Sequence, residues 1–166
     1  MAFDAFLEIS NIKGESTDEK HKEWIEILSF SWGVHHAVTG SLSSGGSQFS
    51  ERANFKLFEI TKTLDIASPK LFFYCSKGEP LKTLKVQLSR AQGQKAKYTE
   101  YIFEDCHVQA FTPAGAPDAN QNLPLETVCF SYGKVTLEYF KTNHATGALE
   151  GSGGKQFWSQ IENKGG

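Results

Sequence analysis

The feature that most constrains this chain is the repeated placement of apolar side chains at every second position. Phe3, Ala5, Leu7 and Ile9 alternate with Asp4, Phe6, Glu8 and Ser10; Leu84, Val86 and Leu88 alternate with Lys85 and Gln87; Val128, Phe130 and Tyr132 follow the same rule. A period of two is the signature of strands with one face on a core. The 13 Phe and 15 Gly against a single Met fit a β-rich chain better than a helical bundle, since aromatic rings pack well on pleated surfaces. At 166 residues the chain has the length of about one domain.

The alternation changes phase at several points. Ile25 and Ile27 share one parity, whereas Leu28, Phe30 and Trp32 share the other, so a straight strand cannot send both sets to one face. A β-bulge near Ile27–Leu28 reconciles them. Leu28, Phe30 and Trp32 are then expected on the core, with Ser29 and Ser31 opposite. A similar change separates Phe55 and Leu57 from Phe58 and Ile60, and Gly133 separates Tyr132 from Val135, Leu137 and Tyr139, giving either a closing strand pair or one bent strand. The "RAQGQKAK" turn joins the Leu84 strand to a long run from Tyr98 to Phe111 as a hairpin.

One short helix is expected among the strands. In "SPKLFFYCSKG", Ser68 takes the N-cap, Pro69 the first helical position, Leu71, Phe72 and Cys75 a common face, and Gly78 the stop. The charged stretch from Lys13 to Lys22 lacks apolar residues at helical spacing and reads as an exposed loop. "VTGSLSSGGSQFS", Val38 to Ser50, is a long Gly/Ser connection with almost no charge, and "TPAGAPDANQNLP" is a second loop. Beyond Lys141 the chain is polar and glycine-rich, with Phe157, Trp158 and Ile161 at helical spacing as a docking anchor. The resulting organisation is a β-barrel or sandwich domain over 1–141, with 142–166 as a polar tail of the same domain.

Charge excludes some functions. With 17 basic and 19 acidic residues the formal charge is -2, which offers no footprint for nucleic acid. The opening "MAFDAFLEIS" lacks a basic region followed by a long apolar run, and no window approaches the roughly 20 apolar residues of a membrane span, so a cytosolic start without insertion is expected. Cys75, Cys106 and Cys129 have no C-x-x-C spacing and are expected to be small buried hydrophobes. The adjacent His35 and His36 diverge in an extended chain and make a poor metal pair, as do Cys106 and His107. "GALEGSGGKQ" fails the phosphate-loop pattern, because Leu149 replaces the first Gly and Gln156 the Ser/Thr. No catalytic group, metal site or cofactor is expected.

Three ordered stretches carry a resemblance: "IKGES" followed by "DEKHKEWIEILSFSWG", then "FEITKTLDIASPKL", then "ETVCFSYGKVTLEY". With Gly14, Glu15, Ser16, His21, Ser31, Trp32, Gly33, Thr61, Lys62, Asp65, Ser68 and Pro69 in register, the chain resembles the hemolysin-coregulated proteins, tube subunits of bacterial type VI secretion. The departures lie in Val34 to Ser50, Thr112 to Pro124 and the tail.

The resemblance implies a mostly β fold, a compact β-barrel of two packed antiparallel sheets with one short flanking helix, assembled as a homo-hexameric ring. Rings stack into a tube inside a contractile sheath beneath a valine-glycine-repeat spike. The tube is made in the bacterial cytoplasm and fired out without a signal peptide, carrying or chaperoning small secreted effectors. Ser31 aligns with a position that looks into the lumen, so Ser29 and Ser31 are the candidate effector-binding residues. Gly40, Ser43, Ser44, Gly45 and Gly46 are the candidate contact loop to a neighbouring subunit or ring. The alternative from a different class is a monomeric β-barrel binding module, or a cryptic hydrolase using His21 or His107 with a nearby carboxylate.

Overall fold

A computed structural model describes residues 3–36, 38–39, 49–50, 52–90, 96–116 and 123–166. In chain order the elements are β1 (Phe3–Ile9), β2 (Ile25–Ile27), β3 (Ser29–His35), β4 (Val38–Thr39), β5 (Phe49–Ser50), β6 (Asn54–Thr63), α1 (Ser68–Lys77), β7 (Pro80–Arg90), β8 (Lys97–Ala114), β9 (Leu125–Ser131), β10 (Lys134–Thr142), β11 (Leu149–Ser159) and β12 (Lys164–Gly165). All ladders are antiparallel, and β4 with β5 forms a separate small pair.

The long strand β8 is the branch point of one open ten-stranded sheet. One arm runs through β7 and β1 to β2, a second through β9 and β6 to β3, and a third through β10 and β11 to β12. The expected closed barrel of two packed sheets is therefore corrected to a single branched, open sheet. Its arms still face one core, which takes Leu7, Ile25, Leu84 and Val86 from the first arm, Phe58, Ile60, Val128 and Phe130 from the second, and Leu71 from α1. What joins β2 to β3 is the chain itself at Leu28: β2 pairs with β1, β3 pairs with β6, and the Leu28 N–H donates to the Thr61 carbonyl at 2.8 Å.

Each change of apolar phase has a cause in these ladders. The Ile27–Leu28 change marks the switch of partner strand. The register shift opposite Ser31 and Gly33 inserts one extra residue into β6, since Ser31 faces Glu59 but Gly33 faces Lys56. That bulge moves the buried set from Phe55 to Phe58 and Ile60. At Gly133 the chain bends and continues along the same strand, because β9 pairs with β8 from Ala114 to His107 and β10 from Glu104 to Thr99. A side chain at 133 would meet Ile161 Cδ1 at 2.7 Å. Of the two expectations there, the single bent strand is the one found.

The β7–β8 hairpin is found as expected, with β8 reaching Ala114, three residues beyond Phe111. The helix is also found, but its start differs. Ala67 is the N-cap, Ser68 and Pro69 open the first turn, and Gly78 ends the helix in the left-handed conformation at φ 69°. Ser68 is not the cap because its hydroxyl is held by buried charges described below. Only Leu71 of the expected helix face is buried; Cys75 is half-buried and Phe72 is exposed. The last 25 residues hold strand, not helix: Phe157 and Trp158 lie on β11, in register with Thr136 and Val135 of β10.

Candidate functional site

Ser29 and Ser31 both lie exposed on β3. Residues directly opposite in a ladder project to the same side. Register therefore extends the serines into two rows across four strands. Ser29 faces Thr61, Thr61 faces Thr127, and Thr127 faces Thr112; Ser31 faces Glu59, Glu59 faces Cys129, and Cys129 faces Ala110. The reverse side of the central strands carries Phe58, Ile60, Val128 and Phe130, all fully buried. The result is a wall whose first row is all Ser and Thr and whose second row mixes Ser31, Glu59, Cys129 and Ala110, one strand-thickness from the aromatic core.

Phe30 and Trp32 are half-buried against that core, and Trp32 meets Tyr101 and Phe103 edge-on at 5.5 and 5.8 Å. Leu28 departs from expectation. It is 62% exposed, because it sits in the step between β2 and β3 rather than within either strand. Gly40, Ser43, Ser44, Gly45 and Gly46 lie outside the described residues.

His21, one base considered for a hydrolase, is buried. Its Nδ1 lies 2.9 Å from Asp18 Oδ1 and its Nε2 2.8 Å from Gln87 Oε1, while the ring stacks on Phe6 with centroids 4.2 Å apart. Both ring nitrogens are engaged and one face is covered, so the imidazole fastens the 13–24 loop onto β1 and β7 and offers no lone pair to a substrate. His107 is half-buried in β8, in register with Pro80 and Ser131. Among the described residues no group of three or more His, Cys, Asp or Glu could hold a metal ion. Of the thiols, only Cys106 is fully buried; Cys75 and Cys129 are half-buried. Burial, reinforced by the nearby Asp105 and Glu104 charges, pushes the Cys106 thiol up to about 12. Cys129 is also raised, first by burial and then by its hydrogen bond to Glu59, with Sγ 3.4 Å from Oε2. Neither is an activated nucleophile.

Sequence reasoning missed a buried ionic cluster beneath the polar wall. Lys62 is fully buried, and its Nζ lies 2.8 Å from Asp65 Oδ1, 2.8 Å from Glu126 Oε2 and 3.1 Å from Ser68 Oγ. The Ser68 hydroxyl donates to Glu126 Oε2 at 2.7 Å and accepts the Asp65 backbone N–H at 3.1 Å. The cluster ties β6, β9 and the start of α1 together. Its signal was present: Lys62 continues the Phe58, Ile60 parity and Glu126 the Val128, Phe130 parity, so both charges stand at core positions.

A mostly β chain with one broad polar wall has the geometry of a protein that works through extended surfaces. Comparison with known proteins makes that class specific. Residues 6–139 match the family described as "Type VI secretion system effector, Hcp". The chain is 29% identical over 164 residues to protein hcp1 of Pseudomonas aeruginosa, with 98% of each chain covered. Among solved structures, a type six secretion system protein superposes with a TM-score of 0.92 at 33% identity, covering 99% of this chain and 100% of that one. Hcp1 from Salmonella typhimurium superposes with a TM-score of 0.79 at 31% identity, covering 99% of each chain. The chain belongs to the Hcp family of type VI secretion proteins.

Proposed function

We propose that this protein is a structural subunit of the type VI secretion tube: six copies close a ring, rings stack, and the wall bearing Ser29 and Ser31 faces the lumen, where small effectors are carried. The observation that carries this reading is the four-strand wall. Ser29, Thr61, Thr127 and Thr112 form a row whose side chains are small and hydrogen-bonding. Such a wall is wettable and has no deep apolar grip, so cargo can bind along it and still leave. The stretch from Gly40 to Ser50, with Gly40, Ser43, Ser44, Gly45 and Gly46, is assigned on its length and lack of charge to contact a neighbouring subunit or ring. Spike and sheath are the further partners. Export through the same machinery from the bacterial cytoplasm completes the reading; among the described residues no helix is long and apolar enough to cross a membrane.

Exposed apolar side chains also favour assembly over a monomeric binding module. Leu28, Ile66, Phe72 and Ile161 are each at least 60% exposed, and covering them with another copy would remove apolar surface from water. Native mass spectrometry tests the proposal. A species of six times the 18.4 kDa chain mass is the expected result, and a monomer at micromolar concentration would favour the binding module. Release into culture medium, lost when the secretion machinery is disabled, tests the transport role.

A further inference from the structure

We infer that the loop over residues 13–24 is fastened by a proton: His21 is held as an imidazolium with both ring N–H groups donating, and the loop loosens when that proton leaves. The lock lies within one chain and does not depend on ring formation.

The partners fix the hydrogen count. Asp18 Oδ1 accepts the backbone N–H of Lys20 at 3.0 Å and of His21 at 3.2 Å, so two donors already converge on the oxygen that lies 2.9 Å from His21 Nδ1. A proton on that oxygen would collide with theirs, so the hydrogen between Asp18 and the ring sits on Nδ1. On the other side, Nε2 lies 2.8 Å from Gln87 Oε1. The Gln87 amide cannot be turned to offer its N–H instead. Its Nε2 donates to Glu100 Oε2, and the exchange would set two acceptor oxygens against each other. Nε2 therefore carries a hydrogen as well.

The surroundings suit a buried cation. His21 is 3% exposed, and its charge is met by Asp18 on the loop and, through Gln87 of β7, by Glu100 on β8. β1 supplies the Phe6 ring stacked on the imidazole, and Trp24 meets it edge-on at 4.9 Å. Among the described residues, Asp4, Glu19 and Glu26 line the cleft that Asp18 also lines. Lys20 and Lys97 line the pocket that holds His21 and Gln87, and Lys97 is turned to Glu100 at 3.2 Å.

Losing one ring hydrogen sets a nitrogen lone pair against an oxygen. At Nε2 that frees the loop from β7, and at Nδ1 it undoes the turn from Asp18 to His21. The closed loop holds a proton that a neutral ring lacks, so acid favours closing and alkali opening. Histidine is the side chain whose ordinary charge change falls between about pH 5 and 8, which suits it to such a lock. Loop openings lie at the low end of the stability range, so local exchange reads this change and the urea midpoint does not.

The test is nuclear magnetic resonance of the full chain carrying isotope-labelled histidine, at neutral pH. Two ring N–H signals that vanish in His21→Gln are expected. In Gln87→Met, which removes the Nε2 acceptor, one of the two is expected to be lost. A wild-type His21 ring with one bare nitrogen overturns the inference, as does a Gln87→Met protein that keeps both signals. Hydrogen exchange of residues 13–24, taken as a ratio to that of β8 to cancel the intrinsic pH dependence, is expected to rise from mildly acidic to mildly alkaline pH in the wild type and to stay level in His21→Gln. A level wild-type ratio, or the same rise in His21→Gln, overturns it too. His21→Asn and Gln87→Leu replace either variant that loses its far-ultraviolet circular dichroism.

Discussion

Lys62 has three close partners and no water-facing surface, so the consequence of removing it is set by what is left behind. In Lys62→Met the Glu126 carboxylate stays buried without its cation. Breaking a buried pair in this way costs about 3–5 kcal/mol. Urea unfolding of Lys62→Met should show a loss of that order, and adding Glu126→Leu should recover part of it. Ser31 makes the opposite prediction. It is exposed and lies opposite Glu59, so Ser31→Gln should leave stability and ring mass unchanged while effector pull-down falls to background. Undiminished pull-down would reject the lumen assignment. On the alkaline side, Cys106 and Tyr132 both titrate late: Cys106 is raised from 9.0 and Tyr132 from 10.0, each to about 12, mainly by burial. Groups whose folded values exceed their unfolded values support the fold fully below the unfolded values and lose that support as pH rises through the folded ones. The urea midpoint should therefore hold to about pH 9 and fall between 9 and 12, with a shallower fall in Cys106→Ala.

At the scale of elements, the loop before β2 has more structure than its charge suggests. Gly14 N–H donates to the Glu23 carbonyl at 2.8 Å, Ser16 N–H to Trp24 at 3.0 Å and Glu23 N–H to Ser16 at 2.9 Å. These bonds press residues 14–16 against 23–24, and a side chain at Gly14 would overlap the Trp24 carbonyl. Gly14→Ala should cost about 1–3 kcal/mol by overpacking, and hydrogen exchange should quicken at Ser16 and Glu23 before it does in β8. Unchanged exchange would show that the clasp contributes nothing. The loop, the α1 stop at Gly78 and the β7–β8 hairpin were legible from turn residues and alternation, because these depend on neighbours a few positions away. The β11 strand was not. Its glycines erase the period-two pattern, and its pairing is supplied by β10 rather than by its own propensity.

At the scale of the whole molecule, assembly depends on surfaces that folding leaves exposed. Deleting Ser43 to Gly46 should reduce ring or tube formation in native mass spectra and negative-stain images while leaving the monomer's β content intact. Normal rings and tubes would remove that loop from the contacts. The candidate lumen face was half legible: the serine parity marks one strand, but the wall exists only because β3, β6, β9 and β8 lie side by side in matching register. No spacing within one segment discloses that Thr61, Thr127 and Thr112 continue the row begun by Ser29.

By itself the sequence determined the strand-rich class, the one helix and most points where the apolar phase shifts, because backbone geometry ties side-chain direction to local spacing. It also carried the three ordered stretches that place the chain in its family. Tertiary structure alone decided that the strands form an open branched sheet, that Leu28 stands outside the core and that Lys62 and Glu126 meet inside it. Those outcomes depend on which distant strand lies alongside, and 64 positions separate Lys62 from the carboxylate that makes its burial tolerable.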